Sequence, residues 1–233
     1  MTAINVFRQS SAVHILSDGV SCNPEGIICE LGPNVFTLPH LPAALAVRGS
    51  TLFMPFLAHR LGRECRSFDD LLSRVVSVAL DVHISVPMTL GFGEVRPDFD
   101  LVIVGWSSQR GQTESFVVMD QQRIDRHGLG NQPWRLIELP DVVIAPPVDM
   151  AKVSALRWEV PSSAQAFQPE TDGIKLLEAQ RLSQLPLNPQ APNEGRAYLV
   201  GGFAQLTTVS SRGVISNVLH RWPDKLGQRI EPG

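Results

Sequence analysis

Short apolar runs closed by turn residues open the chain. Residues 3–8 and 12–16 are two such runs joined by Gln9-Ser10-Ser11, and Ser17-Asp18-Gly19 ends the second, a pattern that predicts a hairpin. Residues 26–31 and 35–38 predict another pair, broken by Gly32-Pro33-Asn34, and residues 43–47 a fifth strand stopped by Arg48-Gly49. The period then changes. Leu52, Phe53, Phe56, Leu57 and Leu61 share a helical face behind a Ser50 or Thr51 cap, with Pro55 close enough to the start to be tolerated. Ser67 and Asp70 form a capping-box-like start to a second helix, over 67–82, whose stripe is Phe68, Leu71, Leu72, Val75, Val76 and Ala79.

Strands return at 101–106 and 115–119, joined by a polar turn, with a further one at 134–139. Asp98 and Asp100 flank a strand start and read as turn residues, and Asp120-Gln121-Gln122 reads as a hairpin turn. Residues 140–195 are proline-rich and read as a loop-like excursion holding one helix, 173–182, with Thr171 or Asp172 as its cap. Runs at 198–203, 205–210 and 214–220 close the chain, the last two joined by Ser211-Arg212-Gly213. Hairpins alternating with helix pairs predict an α+β domain spanning 1–233, in which two mainly antiparallel sheets pack face to face with helices outside, a four-layer αββα sandwich. Regular βαβ alternation is missing. Gly91-Phe92-Gly93 opens no helix pattern, so it is a weak signal for a phosphate loop.

With 43% hydrophobic and 18% charged residues in 233, a sizeable core is expected. The net charge of -3, without Lys or Arg runs, gives no footprint for nucleic acid. The apolar stretches read as short of a membrane span, and the first residues lack the basic and apolar regions of a secretory signal, so a cytoplasmic protein without membrane attachment is expected. Cys22, Cys29 and Cys65 fit no metal spacing and read as reduced, buried thiols. The six histidines are scattered, and neither a metal nor a cofactor is expected. Ser17 is a surrogate nucleophile without a base, His14 reads as pointing off a strand surface, and the polar-aromatic His220-Arg221-Trp222-Pro223-Asp224 as a strand exit or an inter-subunit contact.

Thr2 follows Met1, which is normally trimmed before a small residue. A threonine that becomes the first residue can use its hydroxyl as nucleophile and its own α-amine, of pKa near 8, as base. Thr2-Ala3-Ile4-Asn5-Val6, followed by Ala12 to Gly19, resembles the opening of proteasome β subunits and of the bacterial proteasome-like protease, within the N-terminal nucleophile hydrolases. In that family an Asp sixteen residues after the nucleophile organises the site, and Asp18 stands there. Residues 34–38 resemble the family's Lys-Val/Ile strand. Residues 46–51 resemble the turn whose backbone N–H helps hold the oxyanion, which assigns that role to Gly49. The resemblance covers residues 2–120. It implies amide hydrolysis by Thr2, Asp18 and Gly49, a peptide or protein ligand, and homo-oligomers.

The family's lysine, thirty-two residues after the nucleophile, is here Asn34, and the first lysine of the chain is Lys152. An amide cannot replace an ammonium electrostatically. Arg48, where the family has glycine, is cationic but too basic to shuttle protons. The expectation is a proteasome-like scaffold that has lost peptidase chemistry and works by assembly or binding. The alternative is an active threonine amidohydrolase using Thr2.

Overall fold

A computed structural model describes residues 2–91, 99–127, 132–188, 191–193 and 195–232. Of the positions singled out above, Met1, Phe92, Gly93 and Asp98 lie outside the described residues. The fold is α+β and rests on two five-stranded sheets with every neighbouring pair antiparallel. The strands in chain order are β1 Ile4–Arg8, β2 Ala12–Ser17, β3 Val20–Cys22, β4 Ile28–Leu31, β5 Val35–Leu38, β6 Ala43–Gly49, β7 Phe99–Ser107, β8 Gln112–Met119, β9 Ile137–Glu138, β10 Val142–Val143, β11 Leu185–Pro186, β12 Arg196–Ala197, β13 Phe203–Ser210 and β14 Gly213–Arg221. The first sheet runs β10-β1-β2-β13-β14 and the second β5-β6-β7-β8-β9; β3–β4 and β11–β12 form small ribbons. The α-helices are α1 Met54–Glu64, α2 Phe68–Thr89, α3 Gln121–His127, α4 Met150–Ala155 and α5 Pro169–Arg181.

Successive strand side chains point to opposite faces, so each sheet feeds two cores. Val6, Val13 and Ile15 of the first sheet join Ala44, Ala46, Val102, Val104 and Val117 of the second in one cluster. The alternate residues of the second sheet, among them Leu45, Val47, Leu101 and Ile103, pack against Leu57 and Leu61 of α1 and Phe68, Leu71 and Val75 of α2. Those of the first, Phe7, Leu16 and Leu206, pack against Leu176 and Leu177 of α5. Burial on both faces is why β6 reads as a continuous apolar run rather than an alternating one. Each fully buried Leu or Phe contributes about 1.5–3 kcal/mol.

The opening hairpin forms with Ile4 opposite Ser17 and Arg8 opposite Val13. Other expectations are corrected. Residues 28–31 pair with 20–22 and residues 35–38 with 43–46, not with each other. Residues 198–202 form no strand, and within 134–139 only Ile137–Glu138 does. Asp120 does not make a hairpin turn: its Oδ1 accepts from the Arg123 N–H and starts α3. The stretch 140–195 is built into the fold rather than looped out, since β10 pairs with β1 and α5 covers the first sheet. Helix α5 begins at Pro169, four residues ahead of the expected start, because proline is favoured at the first helical position and Asp172 accepts from the Gln168 N–H.

Helix α2 runs on to Thr89 through Pro87. By length and composition its 22 residues could cross a bilayer, unlike the short stretches expected. Its apolar stripe is buried against β6 and β7, as for a core helix. The cysteines also differ from expectation: Cys65 is buried, Cys22 half-buried and Cys29 exposed.

Candidate functional site

Asp18 sits where three segments meet. The hairpin puts Ser17 opposite Ile4, so the next residue lies beside the start of β1. There the Ala3 N–H donates to Asp18 Oδ1 at 3.0 Å. On the other flank β13 pairs with β2, Gln205 opposite Ser17, and the chain ahead of it supplies the Gly201 N–H to Oδ2 at 3.2 Å. Just before β5, Asn34 Nδ2 donates to the Asp18 carbonyl at 2.7 Å and to Oδ1 at 3.2 Å. The approach of residues 18–19 to 201–203 requires glycine. Gly202 has φ +73°, and a Cβ there would lie 2.7 Å from the Gly19 carbonyl oxygen.

The Asp18 carboxyl is fully buried. Burial pushes its pKa up from 3.8 to about 7, against the pull of the Ala3 and Gly201 N–H donors. A carboxylate that attracts three donors but is desolvated lies near the balance of its two forms at neutral pH.

Thr2 is 3% exposed and precedes β1, joined to Asp18 through the Ala3 N–H. Asp18 and Asn34 are therefore in direct contact, and Thr2 stands one residue before the Ala3 donor. Gly49 ends β6 with φ +118° and faces solvent, and no hydrogen bond among the described residues joins it to Thr2, Asp18 or Asn34. Its neighbour Arg48 reaches the region: Arg48 and Ile4 line one cavity of about 270 Å³, and Arg48 Nη1 lies 3.5 Å from Asp100 Oδ2. Asp100 is thus a buried ion-pair partner inside β7, not a turn residue. Lys152 is not in the Asp18 cluster; it lines a larger cavity of about 810 Å³ together with Arg48, Pro146, Pro147 and Tyr198. Ala145, which precedes the lining residue Pro146, accepts from the Ile4 N–H of β1 at 2.8 Å. Asn5 fixes this wall by exchanging hydrogen bonds with Gln180 of α5 at 2.9 and 3.0 Å and by accepting from the Ala145 N–H at 3.1 Å.

A supporting layer was missed from sequence. Arg181 of α5, 2% exposed, forms a two-pronged pair with Asp224 at 2.7 and 2.9 Å, and Asp224 Oδ2 accepts from the Gly202 N–H at 2.7 Å. The pair thus braces the residue next to the Gly201 donor. Trp222 completes it, donating to Glu178 at 2.8 Å with the Arg181 guanidinium 5.1 Å from its ring centre. Within the chain, Trp222 and Asp224 of the 220–224 tract thus contact α5 and the Gly202 N–H. The signal was Gly201-Gly202 ahead of a strand, which marks close backbone approach. His14 is buried rather than pointing outward, bonded to Thr208 and Gln9, and burial lowers its pKa. Ser17 is fully buried and its hydroxyl has no partner among the described residues, which does not suit a nucleophile.

Comparison with models of known protein families gave no match, and comparison with curated protein sequences gave none either.

Proposed function

We propose that this chain is a proteasome-like N-terminal nucleophile hydrolase scaffold, a four-layer αββα sandwich, that binds or assembles rather than cleaves. The three apolar clusters, one between the sheets and one beneath each helical cover, support the architecture. One observation carries the functional reading: Asn34 occupies the lysine's place and spends its amide on the Asp18 carbonyl and carboxylate. The cluster then holds a buried acid and N–H donors but no ammonium to depress the pKa of a Thr2 amine or to steady a developing oxyanion. Self-assembly is part of the proposal. Exposed Met88 and Leu90 at the end of α2 and Ile215 and Val218 on β14 supply apolar surface for it.

The second reading is an active threonine amidohydrolase. It draws on Thr2 standing next to Ala3, whose N–H donates to the buried Asp18. Intact mass after exposure to a panel of peptide epoxyketones separates the two. A scaffold gives no adduct. A single adduct on a chain that begins at Thr2, lost in Thr2→Ala, overturns the scaffold reading and establishes the hydrolase.

A further inference from the structure

The smaller cavity beside Arg48 is built by strand register. Arg48 stands opposite Asp100 across β6 and β7, and Asp100 opposite Met119 across β7 and β8. One row further in, Ala46 stands opposite Val102, and Val102 opposite Val117. Residues two apart on a strand share a face, and Ala46, Val102 and Val117 belong to the cluster between the two sheets. The Arg48–Asp100 pair therefore closes the end of that inter-sheet layer. Ile4 of β1 and Val143 of β10 line the same space from the first sheet, and Leu139 completes a cavity of about 270 Å³.

Apart from this one pair the lining is apolar. Ile4, Val102 and Val117 are buried, and the half-buried Leu139 and Val143 mark the mouth. Arg48 Nη1 lies 3.5 Å from Asp100 Oδ2, so the cavity holds one cation against one anion. Charge thus selects no ion, and hydrogen bonding decides the ligand. The Arg48 Nε–H is buried and meets no acceptor among the described residues. A buried donor without an acceptor is unfavourable, the more so on a charged group. Because Asp100 already balances the charge, a neutral acceptor is enough to satisfy it. An apolar cavity of about 150 Å³ holds a benzene ring. The 270 Å³ found here has room for two fused rings.

We propose that this cavity binds a small, neutral, largely apolar molecule through a single carbonyl oxygen, which accepts from the Arg48 Nε–H. The inference goes beyond the scaffold reading, because it asks nothing of Thr2, Asp18 or Asn34.

Equilibrium dialysis of the full chain against indan-1-one, indane and indane-1-carboxylate tests it. The ketone binds about five-fold or more tighter than the hydrocarbon, since it gains a charge-assisted hydrogen bond. The carboxylate binds no tighter than the ketone. Arg48→Lys keeps a cation for Asp100 but has no Nε–H, and it brings ketone and hydrocarbon within about two-fold of each other. Val143→Phe fills the cavity from β10 and weakens the ketone about ten-fold or more. Arg212→Gln, in the exposed turn between β13 and β14, changes neither affinity. Val143 is half-buried on a short edge strand, so its variant keeps the test decisive if Arg48→Lys fails to fold. Equal affinity for ketone and indane, or no binding at the solubility limit of the ketone, overturns the proposal. So does a ketone affinity untouched by Val143→Phe, a ketone preference retained in Arg48→Lys, or a carboxylate bound more tightly than the ketone.

Discussion

The buried Asp18 carboxyl makes stability fall as pH rises. Its pKa is 3.8 in an unfolded chain and about 7 in the fold. Between these values the folded chain keeps a proton that the unfolded chain has released, so each pH unit costs about 1.4 kcal/mol and the whole window about 4 kcal/mol. Below 3.8 both states are protonated, above 7 both are ionised, and the contribution is flat. His14 acts with the opposite sign. Burial lowers its pKa, so the folded chain holds less proton there and gains stability as pH rises towards 6.5. The raw pH profile therefore mixes the two, and the informative quantity is the difference between wild type and Asp18→Asn. The variant cannot titrate at position 18. Its amide meets the Gly201 donor poorly, but at a cost that does not vary with pH. Urea unfolding at pH 4.5, 5.5, 6.5 and 7.5 should show the advantage of the wild type shrinking by about 3–4 kcal/mol from the lowest to the highest pH. An identical advantage at pH 4.5 and 7.5 would refute the reasoning. It would mean that the Ala3, Gly201 and Asn34 donors outweigh desolvation and keep the carboxylate ionised throughout.

Two further outcomes are expected. A Cβ at Gly105 of β7 would lie 2.2 Å from the Phe68 ring, so Gly105→Ala should destabilise by about 1–3 kcal/mol, read as a lower Tm, and the smaller Phe68→Leu in the same chain should recover part of it. Arg181→Leu leaves Asp224 buried without its guanidinium and should cost about 3–5 kcal/mol in urea unfolding, whereas Arg181→Leu with Asp224→Leu together should cost less than the single change.

Local patterns carried the parts of the fold that sequence reading reached. The opening hairpin was legible because its turn and both short apolar strands lie within fourteen residues, and α2 because its cap and stripe are contiguous. Partner choice was not legible. Residues 28–31 and 35–38 look like hairpin arms, yet they diverge to β3 and β6, since strand pairing answers to cores that form between distant segments. The proline-rich 140–195 stretch misled for a related reason. Its prolines mark turns, but its sparse apolar residues are enough to cover the first sheet once α5 starts at Pro169.

At the site, the fold joins Asp18 to Asn34 and to the Ala3 N–H that follows Thr2. What spacing could not show is what holds Asp18 from its other side. The Gly201 donor lies 183 residues away and is braced by Arg181 and Asp224, from a helix and a tail with no sequence link to the hairpin. This bears on function directly. A lysine at position 34 would set a cation beside the buried carboxylate and favour its ionised form. Here backbone and amide N–H groups face it and offset only part of its desolvation. A single Asn34→Lys change would thus add a charge to a cluster already filled by donors. The scaffold reading therefore turns on Asn34, whose amide already occupies the Asp18 carbonyl and carboxylate.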